Sequence, residues 1–307
     1  MKQIPKVIHY CWFGGKPIPN DVKKNIESWK KYCPGFEVKE WNEKNFNLAS
    51  CDYVKEASSK KKWAFVSDYA RFWILYNYGG VYFDTDVELI KPIDRILNNG
   101  PFIGREKSIQ NKYKREIESQ ILLKINREKD KKNVNRFNIN KVEYAINPGL
   151  GIGAYPKMEF YKKMLDLYKQ SKFILDDGII NPATIVDYAT VIAKINGLDV
   201  TTDSMGVISM TNEKILVYPT YVFNPIDYNT EKMNINDDTI AIHHYSATWL
   251  NKYQRMEKRI STFLINHNVR NDNLIRLVTL PIRIISKIDS MGIKKTVTIY
   301  LSKLNIK

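Results

Sequence analysis

The sequence predicts an α/β domain, a mainly parallel sheet with helices packed on its faces. Strand-like and helix-like segments alternate β-α-β-α-β over the first 85 residues, the order in which helical crossovers join parallel strands. With 307 residues, 44% of them hydrophobic and 12% aromatic, the chain can bury a full-sized core, which excludes wholesale disorder. Two carboxylates, Asp84 and Asp86, directly follow the apolar tetrad Gly80-Val81-Tyr82-Phe83. In an open α/β sheet, ligands sit beyond the carboxyl ends of such strands.

The elements follow in order. Val7 to Phe13 reads as a buried first strand, stopped by Gly14, Gly15 and Pro17. A helix over 20–33 opens at Asn20 and sets Val22, Ile26, Trp29 and Cys33 at helical spacing. Phe36 to Trp41 alternates as a second strand, and a long helix over 61–78 carries Ala64, Phe65, Tyr69, Phe72, Trp73 and Tyr76 on its apolar side. Gly79 and Gly80 permit the tight turn that aims the next strand out of that helix. Residues 105–136 read as a polar, basic insertion, helical over 114–125. Ala145 to Gly151 is a strand-to-loop segment, followed by helices over 156–171 and 182–196 and strands at 215–219 and 239–244. The expected domains are 1–250, the sheet domain, and 251–307, a basic amphipathic helical appendage.

Charge separates these regions. Residues 105–136 carry 11 Lys/Arg against 5 Asp/Glu, and residues 250–307 carry 12 against 3. The two surpluses account for the whole formal charge of +15, leaving the rest neutral. No nucleic-acid module or interleaved aromatic–basic motif is present, so nucleic acid is not an expected partner. An anionic membrane surface or a phosphate-bearing acceptor fits better. The polar start of the chain is unlike a signal peptide, and no uncharged apolar run spans a membrane's thickness. The expected location is the cytoplasm. Three cysteines without metal-ligand spacing read as reduced thiols.

Asp84 and Asp86 carry the chemistry. Residues i and i+2 of a strand share a face, so the two carboxylates can converge, and hard oxygen ligands suit Mg²⁺ or Mn²⁺. Asp68 and Arg71 lie three apart and share a helix face; a plain surface ion pair is the alternative. Trp12 at a strand end can stack on a base, or be a core aromatic, and Tyr82 alternates with Asp84. His243 and His244 follow an apolar strand. Adjacent strand residues face opposite sides, so only one should ligate a metal; His244, sharing a face with Ser246, is favoured, with His243 as a core histidine.

Ile4 to His9, Trp12-Phe13-Gly14-Gly15, Ser67-Asp68-x-x-Arg71, Gly79-Gly80-Val81-Tyr82-x-Asp84-x-Asp86 and His243-His244-Tyr245-Ser246-x-Thr248-Trp249 occur in this order. Together they resemble glycosyltransferase family 32, the sugar transferases with an Asp-x-Asp motif, and the catalytic domain of large glucosylating toxins. The resemblance covers residues 4–100 well, 140–250 more loosely, and not the tail. It implies a GT-A type fold and a metal-dependent enzyme that retains anomeric configuration. Asp68, Arg71, Asp84 and Asp86 would be its catalytic residues, and Asp84, Asp86 and His244 would hold Mn²⁺ (or Mg²⁺). Donor contacts would come from Trp12, Phe13, Gly14, Asp68, Arg71, Tyr82, Asp84, Ser246 and Trp249. Asn147, Asn181 and Asp187 sit where relatives line the acceptor side.

The expected function is transfer of a sugar from a nucleotide-sugar, a UDP-sugar favoured, to a glycan or lipid-linked oligosaccharide in bacterial surface polysaccharide (capsule) synthesis. Leu274, Leu277, Val278, Leu280, Ile284, Ile285, Ile288 and Met291 recur at helical spacing among basic residues, and Pro281 would kink or split that helix. Such a tail, over 252–307, would hold the protein peripherally at the inner face of the cell membrane. Two other readings stand beside this one: a toxin-like effector that glycosylates a protein, and a non-catalytic membrane- or polyanion-binding protein.

Overall fold

Alternation along the strands sends apolar side chains to both faces of a central sheet, and helices cover both. The computed structural model describes residues 2–108, 114–125, 143–246, 252–269, 271–293 and 296–298. β1 (Val7–Cys11), α1 (Asn20–Tyr32) and β2 (Glu37–Trp41) form the first crossover, with β2 parallel to β1. The long helix expected over 61–78 is present, and a short helix not expected from the sequence precedes it. α2 (Asp52–Ser59) ends at a break where Lys61 takes a φ of +54°, and α3 spans Trp63–Tyr78. Gly79 and Gly80 then adopt φ of +66° and +94°, which side-chain-bearing residues rarely do. A Cβ on Gly80 would lie 2.8 Å from the Val7 carbonyl oxygen, so the glycines let β3 (Gly80–Tyr82) settle against β1.

The chain continues as β4 (Val87–Leu89), α4 (Asp94–Leu97), β5 (Phe102–Lys107), α5 (Lys114–Ile125), β6 (Tyr144–Ile146) and β7 (Ile152–Ala154). It then forms α6 (Glu159–Lys169), α7 (Ile185–Ile195), β8 (Gly206–Ser209), β9 (Lys214–Tyr218), α8 (Thr220–Phe223) and β10 (Ala241–His243). The strand order is β2-β1-β3-β7-β5-β9-β8, with β6 beside β5. β2, β1, β3, β5 and β9 run one way, while β6, β7 and β8 run against them. The fold is thus the expected α/β sheet with a parallel majority. β10 pairs antiparallel with β4 outside this sheet.

β3 shows how the core is divided. Val81 joins Ile8, Tyr10, Trp29 and Phe83 in one apolar cluster, and Tyr82 joins Cys11, Tyr69, Phe72 and Tyr168 in the other. A sheet covered on two sides needs this nearly continuous apolar reading. The three cysteines are free, and burial lifts the Cys11 and Cys33 thiols to about 12 and about 11. The insertion expected from 105 begins inside β5. Arg105 is buried there and donates to the carbonyls of Asp199 and Thr202, so its charge ties down a loop instead of meeting solvent.

The chain forms two compact units, Met1–Ile226 with Asn234–His244, and Asp227–Met233 with Tyr245–Lys307. The second contains α9 (Lys252–Asn266), α10 (Asp272–Val278) and α11 (Leu280–Met291). Arg283 of α11 pairs with Glu257 of α9 at 3.2 Å, and the Lys258 ammonium lies 4.2 Å from the centre of the Tyr228 ring. Pro281 opens α11, where a missing N–H has little cost, and divides the apolar run in two. Among the described residues, no helix is long and apolar enough to cross a membrane.

Candidate active site

Asp84 and Asp86 lie on the turn joining β3 to β4, not on the strand itself. The Val87 N–H donates to the Asp84 carbonyl at 3.0 Å, so the turn, and not strand alternation, brings the carboxylates together. One face of α1 grips this segment. Asn25 Nδ2 donates to the Thr85 carbonyl at 2.9 Å, Trp29 Nε1 to the Val87 carbonyl at 2.8 Å, and Ser28 Oγ accepts from the Leu89 N–H at 2.9 Å.

β10 brings the third group. Its pairing sets His243 opposite Val87, and the His243 Nε2 lies 3.1 Å from Asp86 Oδ1. Ligand atoms of Asp84, Asp86 and His243 all fall within 4.8 Å of one another. Burial disfavours a charged His243 ring, but the Asp86 and Asp84 carboxylates outweigh it and raise its pKa. Two carboxylates and an imidazole form a donor set that suits a divalent cation such as Mn²⁺.

This corrects the expectation for the histidine pair. His244 is exposed, with its Nε2 2.8 Å from Glu88 Oε2, and only its backbone N–H reaches Asp86, at the carbonyl. Alternation could not choose between the rings because Ala241, Ile242 and His243 are all buried.

α3 supplies the remaining charge. Arg71 donates from Nη2 to Asp68 Oδ1 at 2.9 Å and from Nη1 to Asp84 Oδ2 at 3.1 Å. Its guanidinium lies 4.9 Å from the centre of the Tyr82 ring, and the Tyr82 hydroxyl donates to Asp84 Oδ1 at 3.1 Å. A buried guanidinium is tolerable here because two carboxylates face it. Burial pushes the Asp68 carboxyl up to about 7, against the pull of Arg71 and with a further push from Asp84. Tyr82, expected to face the donor, is buried and braces Asp84 instead.

A cavity of about 650 Å³ opens beyond the carboxyl ends of β1 and β2, lined by Trp12, Gly14, Asn42, Glu43 and Trp63 among others. Trp12 Nε1 donates to the Lys16 carbonyl at 2.7 Å, which fixes the indole. Trp63 begins α3, so one helix lines the cavity and carries Asp68 and Arg71. Phe13, expected as a donor contact, is a core side chain packed on Phe46 and Trp63.

Of the residues expected on the acceptor side, only Asn147 approaches the carboxylates, through Gly149. Asn181 closes a turn, donating to the Lys172 carbonyl and accepting from the Ala183 N–H. Asp187 completes a capping box with Thr184 at the start of α7. Ser246 belongs to the second unit, and Trp249 lies outside the described residues. Sequence reasoning missed Asn25, although a polar residue on the apolar stripe of α1 was a usable signal.

The family described as a glycosyltransferase sugar-binding region containing a DXD motif matches residues 19–103. Inositol phosphoceramide mannosyltransferase 1 of Schizosaccharomyces pombe is 32% identical over 114 residues, 34% of this chain and 34% of that protein. An uncharacterized glycosyltransferase of Acanthamoeba polyphaga mimivirus is 32% identical over 105 residues, 32% of this chain and 42% of that protein. The chain thus spans less than half the length of these curated relatives. The solved PaToxG glycosyltransferase is similar at a TM-score of 0.37 and 16% identity, over 54% of this chain and 60% of that one. The stretch that matches this family, residues 19–103, carries Asp68, Arg71, Asp84 and Asp86, with an Asp-x-Asp at Asp84–Asp86.

Proposed function

We propose that this protein is a metal-dependent, retaining glycosyltransferase that moves a hexose from a nucleotide-sugar to a glycan or lipid-linked acceptor. One observation carries the reading: Asp84, Asp86 and His243 converge within 4.8 Å, and Arg71 joins Asp84 to Asp68. Asp84, Asp86 and His243 would hold Mn²⁺ or Mg²⁺, which when bound neutralises charge on a leaving diphosphate. Arg71 and Asp68 present a fixed cation and a carboxyl group to the sugar and phosphate oxygens. Trp12 offers a rigid indole in the wall of the cavity for a base to stack on. The chain's own residues would act by orientation and preorganised charge, with no protein nucleophile required.

One of these relatives is by name a mannosyltransferase of inositol phosphoceramide, which supports a hexose donor and a lipid-borne acceptor. Bacterial surface polysaccharide synthesis is the setting we infer, at the inner face of the cell membrane. The second unit supports a membrane partner: α9 exposes Lys252, Arg255 and Arg259 beside Met256 and Phe263, which are 52% and 60% exposed. Such a face suits an anionic bilayer surface. A screen of UDP- and GDP-sugars for released nucleotide tests the reading. Hydrolysis of one donor class that stops when the metal is chelated is expected, and release indifferent to chelation contradicts it.

A further inference from the structure

The loop facing Asp84 is held by a carboxylate that the proposed chemistry does not use. Glu106 lies on β5 opposite Ala145 of β6, and its Oε2 accepts from Asn147 Nδ2 at 2.8 Å. The Asn147 Oδ1 accepts the Gly149 N–H at 2.8 Å, and the Gly149 carbonyl accepts the Asp84 N–H at 3.0 Å. A second tie runs along the same loop, from the Asn147 N–H to the Gly104 carbonyl at 3.2 Å.

Each link in this chain has a direction. A carboxylate only accepts, so the Asn147 amide must turn its NH₂ toward Glu106 and its oxygen toward Gly149. That orientation holds Gly149 against the Asp-x-Asp turn. Contact there is so close that a Cβ on Gly149 would fall 2.0 Å from Asp84 Oδ2 and 3.1 Å from Asn147 Oδ1. Asp84 is thus seated from two sides. Arg71 and Tyr82 fix its oxygens, and the Asn147–Gly149 loop fixes its backbone and leaves its carboxylate no room to move toward that loop.

We propose that Glu106 is a positioning residue for the metal site, acting through Asn147 and Gly149 to set Asp84. This rests on the metal-site reading given above. Outer partners of metal ligands govern affinity because they fix the ligand's orientation, and losing one typically weakens binding or activity about 10- to 100-fold. Glutamine at 106 still offers an oxygen to the Asn147 side-chain NH₂, whereas alanine offers none.

The test is Mn²⁺ affinity of the purified full chain, read by electron paramagnetic resonance of free Mn²⁺, with thermal unfolding recorded for each variant. Glu106→Ala and Asn147→Ala are each expected to weaken binding about 10- to 100-fold. Glu106→Gln should lose clearly less than Glu106→Ala, since it keeps the oxygen for Asn147 and gives up only the charge that also acts on His243, and the double alanine variant should be no weaker than either single one. Gly149→Ala keeps Glu106 and Asn147 intact but drives a methyl group at Asp84, so it should show the same loss should Glu106→Ala fold poorly. If Glu106→Gln binds as weakly as Glu106→Ala, or Asn147→Ala binds like wild type, the relay is overturned. Asp86→Asn separates the two levels. If it loses Mn²⁺ while Glu106→Ala and Asn147→Ala do not, only the relay fails; if it binds Mn²⁺ like wild type, the metal site fails and takes the relay with it.

Discussion

His9 is held neutral by its partners. Trp41 Nε1 donates to Nδ1 at 3.1 Å, and the Nε2 proton is donated to the Gly79 carbonyl at 3.1 Å. A second proton would confront the Trp41 N–H, and burial already lowers the pKa from 6.5 to about 4. The unfolded chain therefore binds this proton first as pH falls. The contribution to stability is intact above pH 6.5, declines between 6.5 and about 4, and levels off below that. The loss amounts to about 3 kcal/mol at most. Urea unfolding across that window should show His9→Gln with a shallower decline than wild type; parallel curves for the two proteins would refute the assignment. At this scale much of the site was legible. Asp68, Arg71, Asp84 and Asp86 announce themselves by chemistry and spacing, and all four meet. His243 and His244 were not separable, because a strand buried on both faces carries no alternation to read.

Elements were legible where their period was strong. α5 occupies the expected 114–125, and α1 keeps its stripe of Val22, Ile26 and Trp29. The three- and four-residue strands β6, β7 and β8 were too short for period two to register, and their antiparallel pairing depends on contacts far along the chain. α2 was missed because eight residues give barely two turns of signal. Two reassignments are testable here. Asp187 caps α7, so Asp187→Ala should cost about 1 kcal/mol in stability and leave donor hydrolysis at the wild-type rate; a large loss of rate without loss of stability would restore an acceptor-side role. Asn25 holds the Thr85 carbonyl inside the Asp-x-Asp turn. Asn25→Ala should weaken Mn²⁺ binding while far-ultraviolet circular dichroism stays unchanged, and undiminished binding would reduce Asn25 to a core polar residue.

The whole molecule divides its labour by charge. The Asp-x-Asp site lies in the first unit, while the second unit carries most of the surplus charge, with Lys252, Arg255 and Arg259 of α9 exposed beside Met256 and Phe263. Composition displayed that asymmetry without saying what it meets. Each Lys or Arg near an anionic leaflet contributes about 1 kcal/mol, so reversing Arg255 and Arg259 together to Glu should cut vesicle partitioning by more than about tenfold. Flotation with anionic vesicles at low salt measures this, and equal flotation of wild type and variant would remove the membrane from the account. Donor chemistry is separate and should survive those reversals. Its most direct test is Mn²⁺-dependent nucleotide release from the preferred donor by wild type, Asp86→Asn, His243→Ala and His244→Ala. The account predicts that Asp86→Asn and His243→Ala lose the metal-dependent rate and His244→Ala keeps most of it; undiminished release by Asp86→Asn would contradict the site on which everything else rests.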